Sequence, residues 1–237
     1  MLLAQNYFKL SANNNRLGEL CTNMDDTLHL VLDYNNSQNI HIFNLLTGKL
    51  IYNLSQHTER VTCASLYNQN KLVSGSEDGL IKFWDLQTGK CSKTLNCESV
   101  NCLKVLKNED LATGSGRNSI IIWDMVMFEM KFTLFSNERN KKITCLDQLS
   151  NEWLVSGGFD NETIEIWDLK KRVCIRGIYS SNSIIFKNSK AFFKSYTSND
   201  LAGRVTCLQA FEKTIDGKIE YSFAAGTHLG DIGIWNA

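Results

Sequence analysis

Short apolar runs bounded by Gly, Asn, Asp or Ser recur along the chain at near-regular intervals. Five of them end alike: residues 39–44 (NIHIFN), 80–85 (LIKFWD), 119–124 (SIIIWD), 163–168 (TIEIWD) and 231–236 (DIGIWN). Their aromatic anchors, Phe43, Trp84, Trp123, Trp167 and Trp235, are 41, 39, 44 and 68 residues apart. Upstream of the last four lies a second recurring run: 71–76 (KLVSGS), 110–115 (DLATGS), 153–158 (WLVSGG) and 222–227 (SFAAGT). Before that comes a third, 61–63 (VTC), 100–102 (VNC), 143–145 (ITC) and 205–207 (VTC), with 19–21 (ELC) as a first member. A further run, such as 90–95 (KCSKTL) or 129–134 (EMKFTL), follows the anchor. Val, Ile, Thr and aromatics in short runs between turn formers predict strands. Each unit reads as four strands, and four strands at a period of about 40 residues predict a propeller blade.

On these columns, residues 18–237 resemble the WD40-repeat family, with 57–124 nearest the family pattern. The segment 59–95 is similar to the repeats of F-box/WD-type proteins, without an F-box in these 237 residues, and G-protein-β-like proteins are similar too. The resemblance implies an all-β fold, a WD40-type β-propeller with five recognisable four-stranded blades. It is either a small closed ring or part of a larger propeller. Residues 1–17 form an N-terminal strand region, 18–57, 58–96, 97–135 and 136–179 the first four blades, and 204–237 the fifth. The long last spacing reflects an insert at 180–203, in which 183–186 (SIIF) and 191–196 (AFFKSY) predict a hairpin. The last unit stops after its third strand. Family members close the ring with a strand from the other terminus, and residues 5–10 (QNYFKL) are the candidate here.

The family's best-formed blades carry a hydrogen-bonded tetrad of Trp, Ser or Thr, Asp and His. The second unit matches it with His57, Ser76, Asp78 and Trp84. Such a buried network holds because each member satisfies the next. The competing reading is a Ser-His-Asp hydrolase triad, but the same slots recur in other units without the full set. The third unit has Ser115 but Arg117 in the Asp slot; the fourth has Asp160 and Gly158; the fifth has Thr227 and Leu229. Those units are expected to rely more on apolar packing.

Composition narrows the function. The chain is 43% hydrophobic, and its 25 basic residues match its 25 acidic ones, which argues against a general nucleic-acid coat or a polybasic membrane binder. No apolar run approaches the ~18 residues of a membrane span. There is no proline, which is compatible with a chain of paired strands. Five of the eight cysteines, Cys21, Cys63, Cys102, Cys145 and Cys207, occupy one column as small buried hydrophobes, while Cys91 and Cys174 share another. Without a Cys-x-x-Cys pair or a suitably spaced His, neither zinc nor another cofactor is expected. Reduced structural cysteines predict an intracellular protein, cytoplasmic or nuclear. The glycine-containing turns precede no helix, so no phosphate cradle is expected.

Function is expected where the repeat is broken. In the family, the connections from one blade's outer strand to the next blade's inner strand lie on the face that most often binds partners. Arg117, Arg139, Lys141 and Lys142, with Lys187, Lys190 and Lys194 from the insert, concentrate positive charge there. Two readings stand: ordinary solvated lysines beside Glu138 and Asp200, or a patch for an acidic or phosphorylated protein segment. The expected function is a non-enzymatic scaffold for protein partners, with a substrate-recognition module of a ubiquitin ligase as its narrower form. The rivals are a propeller enzyme, which requires titratable groups converging on the inner strands, and an RNA binder using Phe192, Phe193 and Tyr196 beside the basic residues. Neither a membrane nor a small-molecule substrate is expected.

Overall fold

The computed structural model describes residues 20–21, 29–32, 38–44, 47–68, 70–136, 142–158, 164–178, 185–186, 194–195, 205–215, 218–227 and 232–236. Every regular element among them is a strand, and the chain divides into two compact units, Met1–Cys97 and Glu98–Ala237. In the first unit, β1 (Leu20–Cys21), β2 (His29–Leu32), β3 (Ile40–Asn44) and β4 (Leu50–Leu54) form one antiparallel sheet in chain order. A second is built the same way from β5 (Val61–Asn68), β6 (Lys71–Ser76), β7 (Leu80–Asp85) and β8 (Lys90–Asn96).

The second unit holds three sheets. The third runs through β9 (Val100–Val105), β10 (Leu111–Ser115), β11 (Ser119–Asp124) and β12 (Glu129–Phe135). The fourth runs through β13 (Ile143–Gln148), β14 (Trp153–Gly158), β15 (Ile164–Asp168) and β16 (Val173–Ile178), with β17 (Ile185–Phe186) added at its edge. The fifth contains β19 (Val205–Ile215), β20 (Lys218–Thr227) and β21 (Ile232–Asn236), with β18 (Lys194–Ser195) as its outer strand.

That placement corrects two expectations. The short strands of the 180–203 insert do not form a hairpin: β17 pairs with β16, and β18 pairs with β21. The last sheet therefore does have an outer strand, which comes from the insert through Lys194 opposite Asn236 and Ser195 opposite Trp235. An open strand edge offers unpaired backbone groups, so two nearby edges compete for the insert against its own pairing. The candidate closing strand, residues 5–10, lies outside the described residues.

Apolar cores fill the spaces between successive sheets of each unit. Ile40, Ile42 and Leu54 of the first sheet meet Leu72, Trp84 and Leu86 of the second. Ile120, Ile122 and Leu134 of the third meet Leu146, Leu154 and Trp167 of the fourth. Ile164, Ile166 and Ile175 of the fourth meet Val205, Phe223 and Ala225 of the fifth. The third strands β7, β11 and β15 are buried along almost their whole length. The outer strands β8 and β12 are mostly exposed and correspondingly polar.

Two repeat columns are explained by close approach. Gly114 and Gly157 lie opposite Cys102 and Cys145 in their ladders. A Cβ on Gly114 would sit 2.6 Å from both Cys102 Sγ and Ile143 Cγ2; on Gly157 it would sit 2.6 Å from Cys145 Sγ and 2.7 Å from Val205 Cγ1. The first-strand Val or Ile of the next sheet therefore rests on the glycine, beside the sheet's own cysteine. The Asp after each Trp has a separate task. Asp85 Oδ1 accepts the N–H groups of Gln87 and Thr88, and Asp124 Oδ1 those of Val126 and Met127, closing the turns into the outer strands.

Candidate interaction site

The second sheet carries a continuous hydrogen-bonded chain. Trp84 lies opposite Leu72 in the β6–β7 ladder, so its indole reaches diagonally to the residue two further along β6. That residue is Ser74. Trp84 Nε1–H donates to Ser74 Oγ at 2.8 Å, Ser74 Oγ lies 2.8 Å from His57 Nε2, and His57 Nδ1 lies 2.8 Å from Asp78 Oδ2. Each donor is used once if Ser74 O–H donates to Nε2 and Nδ1–H to the carboxylate. Asp78 also accepts the N–H groups of Thr58 at 3.0 Å and Leu80 at 2.9 Å, tying the segment before β5 to the β6–β7 turn.

The hydroxyl expected in this network was that of Ser76, and the structure corrects it to Ser74. Both serines share one face of β6, but Ser76 lies a further two residues along, beyond the indole's reach. It serves the turn instead: its hydroxyl donates to Glu59 O and accepts the Asp78 N–H, each at 3.1 Å. Ser115 accepts the Arg117 N–H at 3.1 Å in the same way. The indole contact recurs in the third sheet, Trp123 to Thr113 Oγ1 at 2.9 Å, and in the fourth, Trp167 to Ser156 Oγ at 2.8 Å. Gly158 is thus not a lost tetrad hydroxyl. In the fifth sheet the position diagonal to Trp235 is Ala225, which has no hydroxyl to offer.

The order Ser74, His57, Asp78 is that of a hydrolytic triad, but its chemistry is closed. Ser74 is fully buried and His57 nearly so, and the indole already occupies the serine oxygen. Burial holds the His57 imidazole below its ordinary value despite the Asp78 carboxylate beside it. Burial alone would raise the Asp78 carboxyl, but the bonds from His57, Thr58 and Leu80 together hold it below its usual range.

A second polar cluster occupies equivalent positions on the inner strands of the second unit. Lys104 on β9, Asp147 on β13 and Gln209 on β19 fall at the same place in their repeats. Lys104 Nζ lies 2.7 Å from Asp147 Oδ1, while Asp147 Oδ2 accepts the Ala210 N–H at 2.5 Å and lies 3.5 Å from Gln209 Nε2. One turn onward, the Lys107 N–H donates to Gln148 Oε1 at 2.6 Å, and Lys107 Nζ pairs with Glu212. Here titratable groups do meet on inner strands. They are spent on one another, linking three sheets. Column comparison could have exposed them, since Lys, Asp and Gln stand where the second sheet has Ser65.

The expected basic patch is only partly described. Arg117 is highly exposed and pairs with Glu98 at 3.4 Å. Lys142 is exposed, and Lys194 lies in β18. Arg139, Lys141, Lys187 and Lys190 lie outside the described residues. Phe43 and Trp235 take their places in β3 and β21, opposite Leu30 and Phe223. Among the described residues no group of three or more His, Cys, Asp or Glu side chains could hold a metal ion, and no helix is long and apolar enough to cross a membrane.

Comparison with known proteins places this geometry. The WD40 family, described as WD domain, G-beta repeat, matches residues 48–85 and 89–124. Protein tipD of Dictyostelium discoideum is 28% identical over 62% of this chain and 24% of its own length. Autophagy-related protein 16 of Arabidopsis thaliana is 25% identical over 74% of this chain and 33% of its own length. The chain therefore spans a quarter to a third of these relatives. Among solved structures, the RRP9 WD40 repeats align with a TM-score of 0.69 at 18% identity, covering 91% of this chain and 60% of that one. The WD40 β-propeller domain of Doa1 aligns with a TM-score of 0.62 at 20% identity, covering 90% and 61%. WD40 homologues generally serve as protein-interaction scaffolds. The four-stranded sheets and the Trp–hydroxyl contacts agree with these likenesses: residues 48–85 and 89–124 carry WD40 repeats, and the fold is similar to that of WD40 β-propellers.

Proposed function

We propose that this chain is a non-enzymatic scaffold that presents its inter-strand loops to protein partners inside the cell. The observation that carries the reading is the closure of its polar chemistry. The Ser74–His57–Asp78 chain is buried and capped by Trp84, and the Lys104–Asp147 pair is completed by the Ala210 N–H. A framework whose polar groups satisfy each other is rigid and leaves recognition to its loops. Acidic or phosphorylated segments are the partners that Arg117, Lys142 and the lysines of the insert would suit, because guanidinium and ammonium groups bind carboxylate and phosphate by charge-assisted bonds. The narrower role, substrate recognition in a ubiquitin ligase, is supported by the likeness of residues 59–95 to F-box/WD-type repeats.

The test is affinity capture from extract followed by cross-linking and mass spectrometry. The expected result is a co-purifying protein cross-linked to loop residues, with capture weakening when Lys141, Lys142, Lys187 and Lys190 are reversed to Glu and as salt rises. Failure to retain any protein beyond an unrelated control would overturn the scaffold reading.

A further inference from the structure

The turns that enter the outer strands differ in a way their folding does not require. In the second, third and fourth sheets an Asp side chain closes this turn by accepting backbone N–H groups: Asp85, Asp124 and Asp168. The second sheet fills the turn with Gln87, Thr88 and Gly89, and the fourth with Lys170, Lys171 and Arg172. The third instead places Val126 and Met127 at the tip, 78% and 67% exposed, with Met130 at 58% just beyond. The next position is left-handed in every one of these turns, held by Phe128 at φ 57°, Arg172 at φ 58° and Gly89 at φ 67°. A side chain in the left-handed region strains the backbone. Val126 and Met127 on the turn and Met130 on β12 are thus held in solvent, and none of the three is buried in a core. Exposed apolar clusters of this kind mark interaction sites.

The fourth sheet supplies the charge beside them. The Arg172 guanidinium sits 4.5 Å above the Phe132 ring on β12, so the β15–β16 turn leans onto the strand that carries Met130. Lys171 is held by Asp168 at 3.2 Å, and Lys131 by Asp110 at 2.7 Å and Asp124 at 3.2 Å. Among the described residues no carboxylate lies within ion-pair distance of Lys170 or Arg172.

We infer that the β11–β12 turn and the adjoining β15–β16 turn form a docking site for an acidic, amphipathic protein segment. The apolar side chains of that segment cover Val126, Met127 and Met130, and its carboxylates meet Lys170 and Arg172. Two cations with no carboxylate within ion-pair distance among the described residues match one or two carboxylates of the segment. An anionic membrane is usually recognised by clusters of roughly four to eight cations. The inference rests on the scaffold reading but uses turns other than the basic patch considered there.

A fluorescein-labelled helical peptide of about 15 residues tests it, with Leu at i, i+3, i+4 and i+7 and Glu between them. Its anisotropy on titration with the whole chain should report saturable binding. The double variants Val126→Ser/Met127→Gln and Lys170→Glu/Arg172→Glu should each weaken binding by about tenfold, with thermal unfolding unchanged. A peptide with Lys in place of Glu should not bind. The site is overturned if the wild-type chain ignores the Glu peptide or binds the Lys peptide equally well. It is also overturned if either variant binds like wild type, or if vesicles about one-third phosphatidylserine capture the chain while the peptide does not. Peptide failure with affinity capture intact removes this site and leaves the scaffold standing; loss of all captured protein removes the scaffold itself.

Discussion

The Trp84 indole donates to the Ser74 hydroxyl at 2.8 Å, and the same cross-strand diagonal joins Trp123 to Thr113 and Trp167 to Ser156. The repeat therefore conserves a contact between two strands, while the His and Asp that extend it belong to the second sheet. Ser74→Ala leaves the indole N–H and His57 Nε2 without their partner, at an expected cost of about 1–3 kcal/mol. The specific readout is the Trp84 indole proton by NMR. Its resonance should move and its exchange accelerate in Ser74→Ala, whereas Ser76→Ala should leave it in place. A reversed pattern would return Ser76 to the network.

Acid should weaken the second sheet. His57 is held below its ordinary value of 6.5, so the unfolded chain takes up that proton more readily, and stability is lost as pH falls from about 6.5 through the folded value. Asp78 is held below 3.8, so its contribution is present above that pH and is lost on further acidification. Both act in one direction. Denaturant midpoints measured across pH should fall on acidification, and His57→Gln should flatten the upper part of that curve. A midpoint that rises as pH drops from neutral would contradict the assignment.

The glycine column should tolerate no side chain. Gly157→Ala drives a methyl against Cys145 and Val205 and is expected to cost about 1–3 kcal/mol through overpacking. At Gly116 the nearest atom would be Asn101 Nδ2 at 3.9 Å, so Gly116→Ala should be close to neutral. Thermal unfolding of the two variants settles the comparison, and equal midpoints would sink it.

Asp147 should matter more than Lys104. Removing the carboxylate strands both the Lys104 ammonium and the Ala210 N–H, whereas Lys104→Met removes only one of the bonds to Asp147. Asp147→Ala is expected to cost about 2–4 kcal/mol and Lys104→Met less, with a non-zero coupling in the double-mutant cycle. Additive effects would show that the two side chains act independently.

The Cys145 thiol should be silent in the native state. Burial pushes it up to about 12, so little thiolate exists near neutral pH. Alkylation followed by peptide mass spectrometry should leave Cys145 unmodified until denaturant unfolds the chain. Early labelling would show that the packing of Gly157, Cys145 and Val205 is looser than described.

The repeat itself was legible along the chain because its columns answer to short-range demands: a turn-closing Asp, a glycine with no room for Cβ, a strand buried along its length. Strand parity placed Ser74 and Ser76 on the same face of β6 and could go no further. Which serine meets Trp84 depends on ladder register and on the reach of an indole, and only the paired strands define these. The insert shows the same limit. Two-residue strands carry no periodic signal, so whether β17 and β18 pair with each other or with β16 and β21 is decided by the open edges the folded sheets present. Lys104, Asp147 and Gln209 share no residue type, so no motif announces them. Their equivalent places on successive inner strands make them partners only when those strands stand side by side, where a buried carboxylate needs a cation and an N–H to satisfy it.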